Sequence, residues 1–333
     1  MSSRGNVLVT DPIHSAGAEI LAEAGYRLMV PSKNSAATFK LLIRDADALI
    51  VRTRLPDGIL DAAVRLCGIV RHGVGLDLIP MRRAAELGIP VANVPGGNSQ
   101  AVTEYVFAAI LDLTRRLRQA DTAIRNDEWS AARGAAERSI ELKGKCLGVI
   151  GLGNIGRRVA EIGATGFGMT VAGTQRRPEM MPGFARAVDI EELFAISDFV
   201  VLSCPLTSQT QNMVDANLLG RMKKNAYLIN VSRGQLIDDE ALVAALREQR
   251  IAGAALDVFS EQPIPREHPI RSLPNVLLTP HFAGLTAESM ERIGRIACEE
   301  AMRFLRGKRP LNLANPEIWE EAQRRWQRLN APA

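Results

Sequence analysis

Hydrophobic residues in this chain fall into short uninterrupted runs separated by stretches of helical period. In the first hundred residues, runs of strand length lie at 6–10, 48–51, 68–71 and 90–92. Segments 15–24, 61–66 and 79–87 between them read as helices. Such alternation predicts a parallel sheet covered by helices. A second series of the same kind begins at residue 146. Strands are predicted at 146–150, 170–173, 199–203, 226–230, 253–258 and 276–279, with helices at 190–195, 215–222 and 239–248 among the connections. Together they predict an α/β chain with two doubly wound parallel sheets.

Between the series lies a turn cluster, Val94-Pro95-Gly96-Gly97-Asn98, and then one long helical pattern over 100–126. Ser99 is its expected N-cap, and an irregular stretch to Lys145 is expected after it. Tyr105, Phe107, Ala108, Ile110 and Leu111 lie on more than one side of that helix. A helix apolar around most of its circumference needs burial beyond its own domain. A last helical run, 286–306, carries Ile293, Ile296, Ala297, Met302 and Leu305 and needs a partner. The first series can provide one, so the chain is expected to cross over and return. In the tail, Trp319 and Trp326 form a possible apolar stripe, and the arginines read as a solvated face.

Composition adds limits rather than a function. With 333 residues, 47% hydrophobic and 23% charged, the chain has room for roughly two ordinary globular domains. A net charge of +4 argues for neither nucleic acid nor membrane partners, and no apolar run approaches a membrane span. The N-terminus leads straight into a strand, with no signal-peptide pattern. Cys67, Cys146, Cys204 and Cys298 are scattered, which predicts reduced thiols, a cytoplasmic protein and no metal site. His14 and His268 read as surface loop residues.

The candidate chemistry follows strand ends of the second series. The run 147–150 ends in Gly151-Leu152-Gly153-Asn154-Ile155-Gly156, a Gly-x-Gly-x-x-Gly turn with a strand before it and a helix-like segment, 157–163, after it. Gly151 permits the tight turn, Gly153 lets backbone approach a pyrophosphate, and Gly156 lets helix and strand pack closely. Arg233 follows the strand ending at Asn230 and can hold a carboxylate bidentately. The strands predicted at 253–258 and 276–279 also end in polar groups, and His281 follows the second; a His there can exchange a proton near neutral pH. Ligands of open α/β sheets bind outside these carboxyl ends.

Read together, these segments resemble the D-isomer-specific 2-hydroxyacid dehydrogenase family, whose relatives include phosphoglycerate dehydrogenase and hydroxypyruvate/glyoxylate reductase. The likeness is carried, in family order, by Val51-Arg52-Thr53, Arg71-His72-Gly73-Val74-Gly75-Leu76-Asp77, Asn93-Val94-Pro95-Gly96-Gly97-Asn98, the fingerprint, Cys204-Pro205-Leu206-Thr207, the Arg233 segment, Leu256-Asp257-Val258-Phe259 and Thr279-Pro280-His281. It implies a Rossmann cofactor domain, 99–285, inserted into a flavodoxin-like substrate domain made of 1–98 and 286–333. It also implies a homodimer through the helix near 100–126, acting on a small 2-oxo or 2-hydroxy acid.

By the same resemblance Arg233 binds the substrate carboxylate and carbonyl, and His281 is the acid/base. Val74 and Gly75 would hold the carboxylate through backbone, and Asn98 would border the substrate. Thr103, Asn154, Ile155, Thr210, Val231, Ser232 and Gly284 would join the fingerprint glycines, Cys204 and Pro205 around the cofactor. Asp257 would meet the nicotinamide amide. Arg52, Arg54 and His72 lie where phosphoglycerate dehydrogenases hold a distal phosphate. Arg52 and Arg71 suit a framework role equally, whereas Arg54 and His72 hint at an anionic or polar distal group.

Two departures matter. The family's acidic partner of the His immediately precedes the Pro after the Asp-Val-Phe segment, and here that residue is Gln262, with Glu261 beside it. Formate dehydrogenases carry such a Gln–His pair and need no catalytic proton, so formate oxidation is one alternative. A non-catalytic sensor of NAD(P)H, like the family's corepressors, is another. Second, Gln175 stands where NAD enzymes place a carboxylate for the ribose 2′-OH, and Arg176 and Arg177 follow. Arginine pairs with a 2′-phosphate that a carboxylate would repel, which favours NADP over NAD.

Overall fold

The computed structural model describes residues 4–331 apart from Asn34 and Arg138. The chain divides into two compact units, Met1–Asn98 with Leu285–Ala333, and Ser99–Gly284.

The first unit is built on a parallel sheet of five strands: β1 (Asn6–Val9), β2 (Arg27–Met29), β3 (Ala48–Val51), β4 (Gly68–Arg71) and β5 (Val91–Ala92), in the order β2-β1-β3-β4-β5. This is the flavodoxin-like order. Val7–Val9 and all of β3 are buried, because helices cover both faces, and this is why these strands read as continuous apolar runs. Helix Ala287–Leu305 completes the core. Ile293, Ala297, Ala301 and Phe304 pack with Val7, Val9, Ile50 and Val70, so the partner required by the last helical run lies in the first series. Gly17 makes the approach to helix Ser15–Glu23 possible, since a Cβ there would sit 2.7 Å from the Gly294 carbonyl oxygen. Trp319 and Trp326 pack on the same core from helix Trp319–Leu329.

Three readings change in this unit. Segment 61–66 is no α-helix; only a 3-10 turn, Ile59–Ala62, forms, since so short a segment closes too few bonds to offset nucleation. Arg325 does not belong to a solvated face: its guanidinium donates to the carbonyls of Ala63 and Leu66 at 2.9 and 3.0 Å. His14 and His268, one in each unit, are half-buried caps, with Nδ1 accepting from Ala16 and Ile270 N–H at 3.3 Å.

The second unit is a seven-stranded parallel sheet of β6 (Cys146–Ile150), β7 (Thr170–Thr174), β8 (Arg186–Ala187), β9 (Phe199–Leu202), β10 (Tyr227–Asn230), β11 (Gly253–Leu256) and β12 (Val276–Leu278). Its order is β12-β11-β10-β9-β6-β7-β8. The chain starts centrally at β6, steps outward to β8, then returns to β9 and continues the other way. This doubly wound Rossmann arrangement leaves a crevice at the carboxyl ends of β6 and β9.

The long helical pattern breaks. Helix Ser99–Arg115 stops at Arg116, whose φ of 55° is left-handed, and Leu117–Arg125 and Trp129–Ala136 follow as separate helices. Ser99 is the first helical residue rather than a cap, and its buried hydroxyl makes no hydrogen bond. The first helix satisfies most of its apolar surface within its own unit: Val106, Phe107, Ala109 and Ile110 join Leu147, Val159 and Val201 in one core. Phe107 stacks on Phe167 with ring centroids 4.8 Å apart. The expectation that this helix needs outside burial is therefore corrected. The exposed apolar residues come later, at Leu117, Ile124 and Trp129.

Candidate active site

Six chain segments of the second unit bring the candidate chemistry to the carboxyl edge of its sheet. The first is the glycine turn after β6. Gly151 has φ +87°, and a Cβ there would lie 2.7 Å from Cys204 Cα. At Gly156 a Cβ would lie 2.0 Å from the Gly151 carbonyl oxygen, whereas at Gly153 it would meet nothing within 4 Å. Two glycines are thus demanded by packing, and the third leaves backbone open. Helix Asn154–Phe167 begins there, and Gly153, as N-cap, supplies no side-chain acceptor. The N–H groups at Asn154 and Ile155 belong to the four that every helix start leaves without an intrahelical partner. Open backbone, a dipole end and unsatisfied donors fit a dinucleotide pyrophosphate.

Gln175, just past β7, donates through Nε2 to the Arg177 carbonyl at 2.9 Å. Arg176 and Arg177 are exposed and make no ion pair among the described residues. After β9, burial pushes the Cys204 thiol up to about 11, so it stays protonated. Thr210 donates to the Pro205 carbonyl at 2.8 Å and accepts the Thr207 N–H at 2.8 Å, so its hydroxyl closes the turn. Ser232 donates to the Cys204 carbonyl, which joins the turns after β9 and β10, and Val231 is half-buried beside it. Thr103 is fully buried, and its hydroxyl donates to the Ser99 carbonyl at 2.8 Å.

The segment after β10 carries Arg233. Asn230, buried at the strand end, donates from Nδ2 to the Arg233 carbonyl at 2.8 Å and accepts the Ser232 N–H at 3.0 Å. Gly234 fits against the next loop because it has no side chain; a Cβ would fall 1.9 Å from the Phe259 carbonyl carbon. Neither residue was singled out in the sequence, although a glycine directly after a turn arginine is the kind of signal that marks close approach.

After β11 and β12 come Asp257, Gln262 and His281. His281 is exposed and left-handed, with φ 55°. A non-glycine residue there costs on the order of 1 kcal/mol and persists only when its surroundings fix it. They do: its N–H donates to the carbonyls of Asp257 and Thr279 at 2.8 and 3.1 Å. The Asp257 carboxylate, 1% exposed, accepts Thr279 Oγ1–H at 2.7 Å and the N–H groups of Phe282 and Ala283 at 2.9 Å. Asp257 therefore anchors the histidine turn. Gly284 ends the same turn.

His281 pairs with Gln262, not Glu261: Nδ1 and Gln262 Oε1 are 2.9 Å apart. Gln262 Nε2 donates to the Phe259 carbonyl at 3.2 Å, which fixes the amide with its oxygen toward the ring. An amide oxygen only accepts, so Nδ1 carries a hydrogen.

The first unit holds the remaining candidates. Arg71 donates to the carbonyls of Val51, His72 and Gly75 at 2.7 to 3.0 Å, and Arg52 donates to the Pro12 carbonyl and pairs with Asp11 at 3.3 Å; both are framework groups. His72 is buried, and burial, with Arg52 and Arg71 adding to it, holds its pKa down to about 3. It is neutral at ordinary pH and brings no charge to an anion. Arg54 is exposed and makes no ion pair among the described residues. The Val74 carbonyl accepts Asn93 Nδ2–H at 2.8 Å, and the N–H groups of Val74 and Gly75 meet no acceptor among the described residues. Asn98 Oδ1 is buried without a partner. Among the described residues no cluster could hold a metal ion, and no helix is long and apolar enough to cross a membrane.

Comparison with known proteins assigns the chain. The family described as D-isomer specific 2-hydroxyacid dehydrogenase, NAD binding domain, matches residues 107–283. The chain is 39% identical over 323 residues to a D-3-phosphoglycerate dehydrogenase of Methanocaldococcus jannaschii, covering 95% of this chain and 60% of that longer protein. It is 38% identical over 328 residues to a glyoxylate reductase of Aeropyrum pernix, covering 95% of this chain and 97% of that one. Among solved structures it is similar to an NADPH-dependent glyoxylate/hydroxypyruvate reductase of Sinorhizobium meliloti in complex with NADP and malonate, with TM-score 0.84, 30% identity, and 94% and 97% of the two chains covered. The fold, the glycine turn and these relatives together make the chain a member of the D-isomer specific 2-hydroxyacid dehydrogenase family and an NAD(P)-dependent oxidoreductase.

Proposed function

We infer that this enzyme reduces 2-oxo acids to D-2-hydroxy acids and prefers NADPH to NADH. The observation that carries the reading is the His281–Gln262 bond, which leaves a proton-exchanging Nε2 on a turn at the same sheet edge as Arg233. A bound nicotinamide dinucleotide would supply the hydride. Arg233 takes the carboxylate and polarises the carbonyl. His281 gives its Nε2 proton to the carbonyl oxygen as that oxygen becomes an alkoxide. Gln262 holds the ring by Nδ1–H but lends it no charge. The names of the glyoxylate reductase relatives support a small substrate of the glyoxylate or hydroxypyruvate kind. The unpaired Arg54 supports one with an anionic distal group as well.

Gln262 also favours a second reading, hydride transfer from formate, which releases carbon dioxide and needs no proton donor. A panel of 2-oxo acids with NADPH and NADH, together with formate and NADP+, separates the two. We expect turnover of 2-oxo acids with NADPH; formate oxidation alone would overturn the first reading, and cofactor binding without any turnover would point to a sensor.

The assembly proposed is a homodimer. Support comes from Leu117, Ile124 and Trp129, which are 55, 45 and 66% exposed on the two helices after Arg116. Large apolar groups exposed close together in sequence suit a protein interface. Light scattering at micromolar concentration should give twice the 36.2 kDa chain mass, and a monomeric mass would exclude it.

A further inference from the structure

We propose that Tyr105 is a positioning residue for the acid/base histidine, bracing the turn that carries His281 on both sides of that residue. The proposal rests on the reading of His281 as proton donor.

Tyr105 lies on helix Ser99–Arg115, far from the turn in sequence, and touches it twice. Its hydroxyl is 2.6 Å from Thr279 Oγ1. Its ring meets Phe282 edge-on, with centroids 5.7 Å apart and planes at 87°. Thr279 and Phe282 flank the Pro280-His281 step. The direction of the hydrogen bonds is fixed by chemistry. The Asp257 carboxylate only accepts, so the Thr279 hydroxyl spends its hydrogen there, at 2.7 Å. The Thr279 oxygen is then left as an acceptor, and Tyr105 must donate to it. Burial pushes the Tyr105 phenol up to about 12, so the donor keeps its hydrogen at any working pH.

The result is an ordered chain, Tyr105 to Thr279 to Asp257, and Asp257 in turn takes the N–H groups of Phe282 and Ala283. A left-handed histidine held only by its own backbone bonds would have neighbouring conformations within easy reach. A second element pressing on residues 279 and 282 removes them. Correct placement of a proton donor within a few tenths of an ångström is the kind of effect that alters the chemical step more than substrate binding.

Tyr105→Phe keeps the ring contact and deletes the hydroxyl. In the holoenzyme it should lower kcat for hydroxypyruvate by about 3- to 10-fold, with KM and NADPH affinity near those of the parent and Tm lower only by the roughly 2–4 °C that one lost hydrogen bond costs. The solvent isotope effect on kcat should rise, because transfer of the proton becomes slower relative to other steps. With only four histidines in the chain, the ring nitrogen NMR signals of His281 can be followed directly and should broaden. Tyr105→Leu, which removes both contacts, should lower kcat further and lower Tm as well. Parent values of kcat and of the solvent isotope effect in Tyr105→Phe would overturn the proposal while the parallel loss of activity in His281→Ala left the reading of His281 standing. Full activity in His281→Ala would overturn both.

Discussion

Replacing His281 by alanine is expected to lower kcat for 2-oxo acid reduction by about 10²- to 10⁴-fold, the range spanned by a positioned general acid. Hydride addition leaves a negative charge on the carbonyl oxygen, and water is a poor acid at neutral pH. Its Nδ1 is bonded to Gln262, and in the proposed mechanism Nε2 does the exchange. The residue is exposed, so its loss should leave Tm and NADPH affinity nearly unchanged. Arg233→Ala should differ in pattern, raising KM for the acid as well as lowering kcat, because a guanidinium acts on the ground-state carboxylate and on the carbonyl together. A kcat near the parent value in His281→Ala would remove the proton-donor role and favour the formate-type reaction.

The second large effect concerns the cofactor. Arg176→Ala with Arg177→Ala should weaken NADPH binding on the order of 10- to 100-fold and NADH binding little. Two charge-assisted hydrogen bonds to a phosphate could do more. Both side chains are exposed, so water and salt screen them and the lower range applies. The preference should also shrink as ionic strength rises. Fluorescence titration of the two cofactors at two salt concentrations checks this, and equal losses for both would refute the assignment.

Much of the fold was legible because buried parallel strands cannot alternate. Ala48–Val51 and Phe199–Leu202 are buried along their whole length and appear as unbroken apolar runs. Two of the four edge strands, Arg27–Met29 and Arg186–Ala187, are exposed or half-buried and only three and two residues long, which leaves no pattern to read. The break at Arg116 was also hidden, since neither glycine nor proline marks it.

At the site, residue type and strand-end position pointed to Arg233 and His281, and the family resemblance pointed to Gln262, which the fold places 2.9 Å from His281. Burial and partnership were not legible. His72 looks like a ligand in sequence and is a neutral buried group in the fold. Thr103 and Thr210 look like donors to a cofactor and spend their hydroxyls on neighbouring backbone. Tyr105 and Thr279 are 174 positions apart, and only the closing of the sheet brings them to 2.6 Å.

The central claim is a D-specific hydride transfer to a 2-oxo acid. Its most direct test is the product formed from hydroxypyruvate and NADPH deuterated at the transferable position. The account predicts D-glycerate with one deuterium at C2. Formation of L-glycerate, or of glycerate without the label, would contradict it.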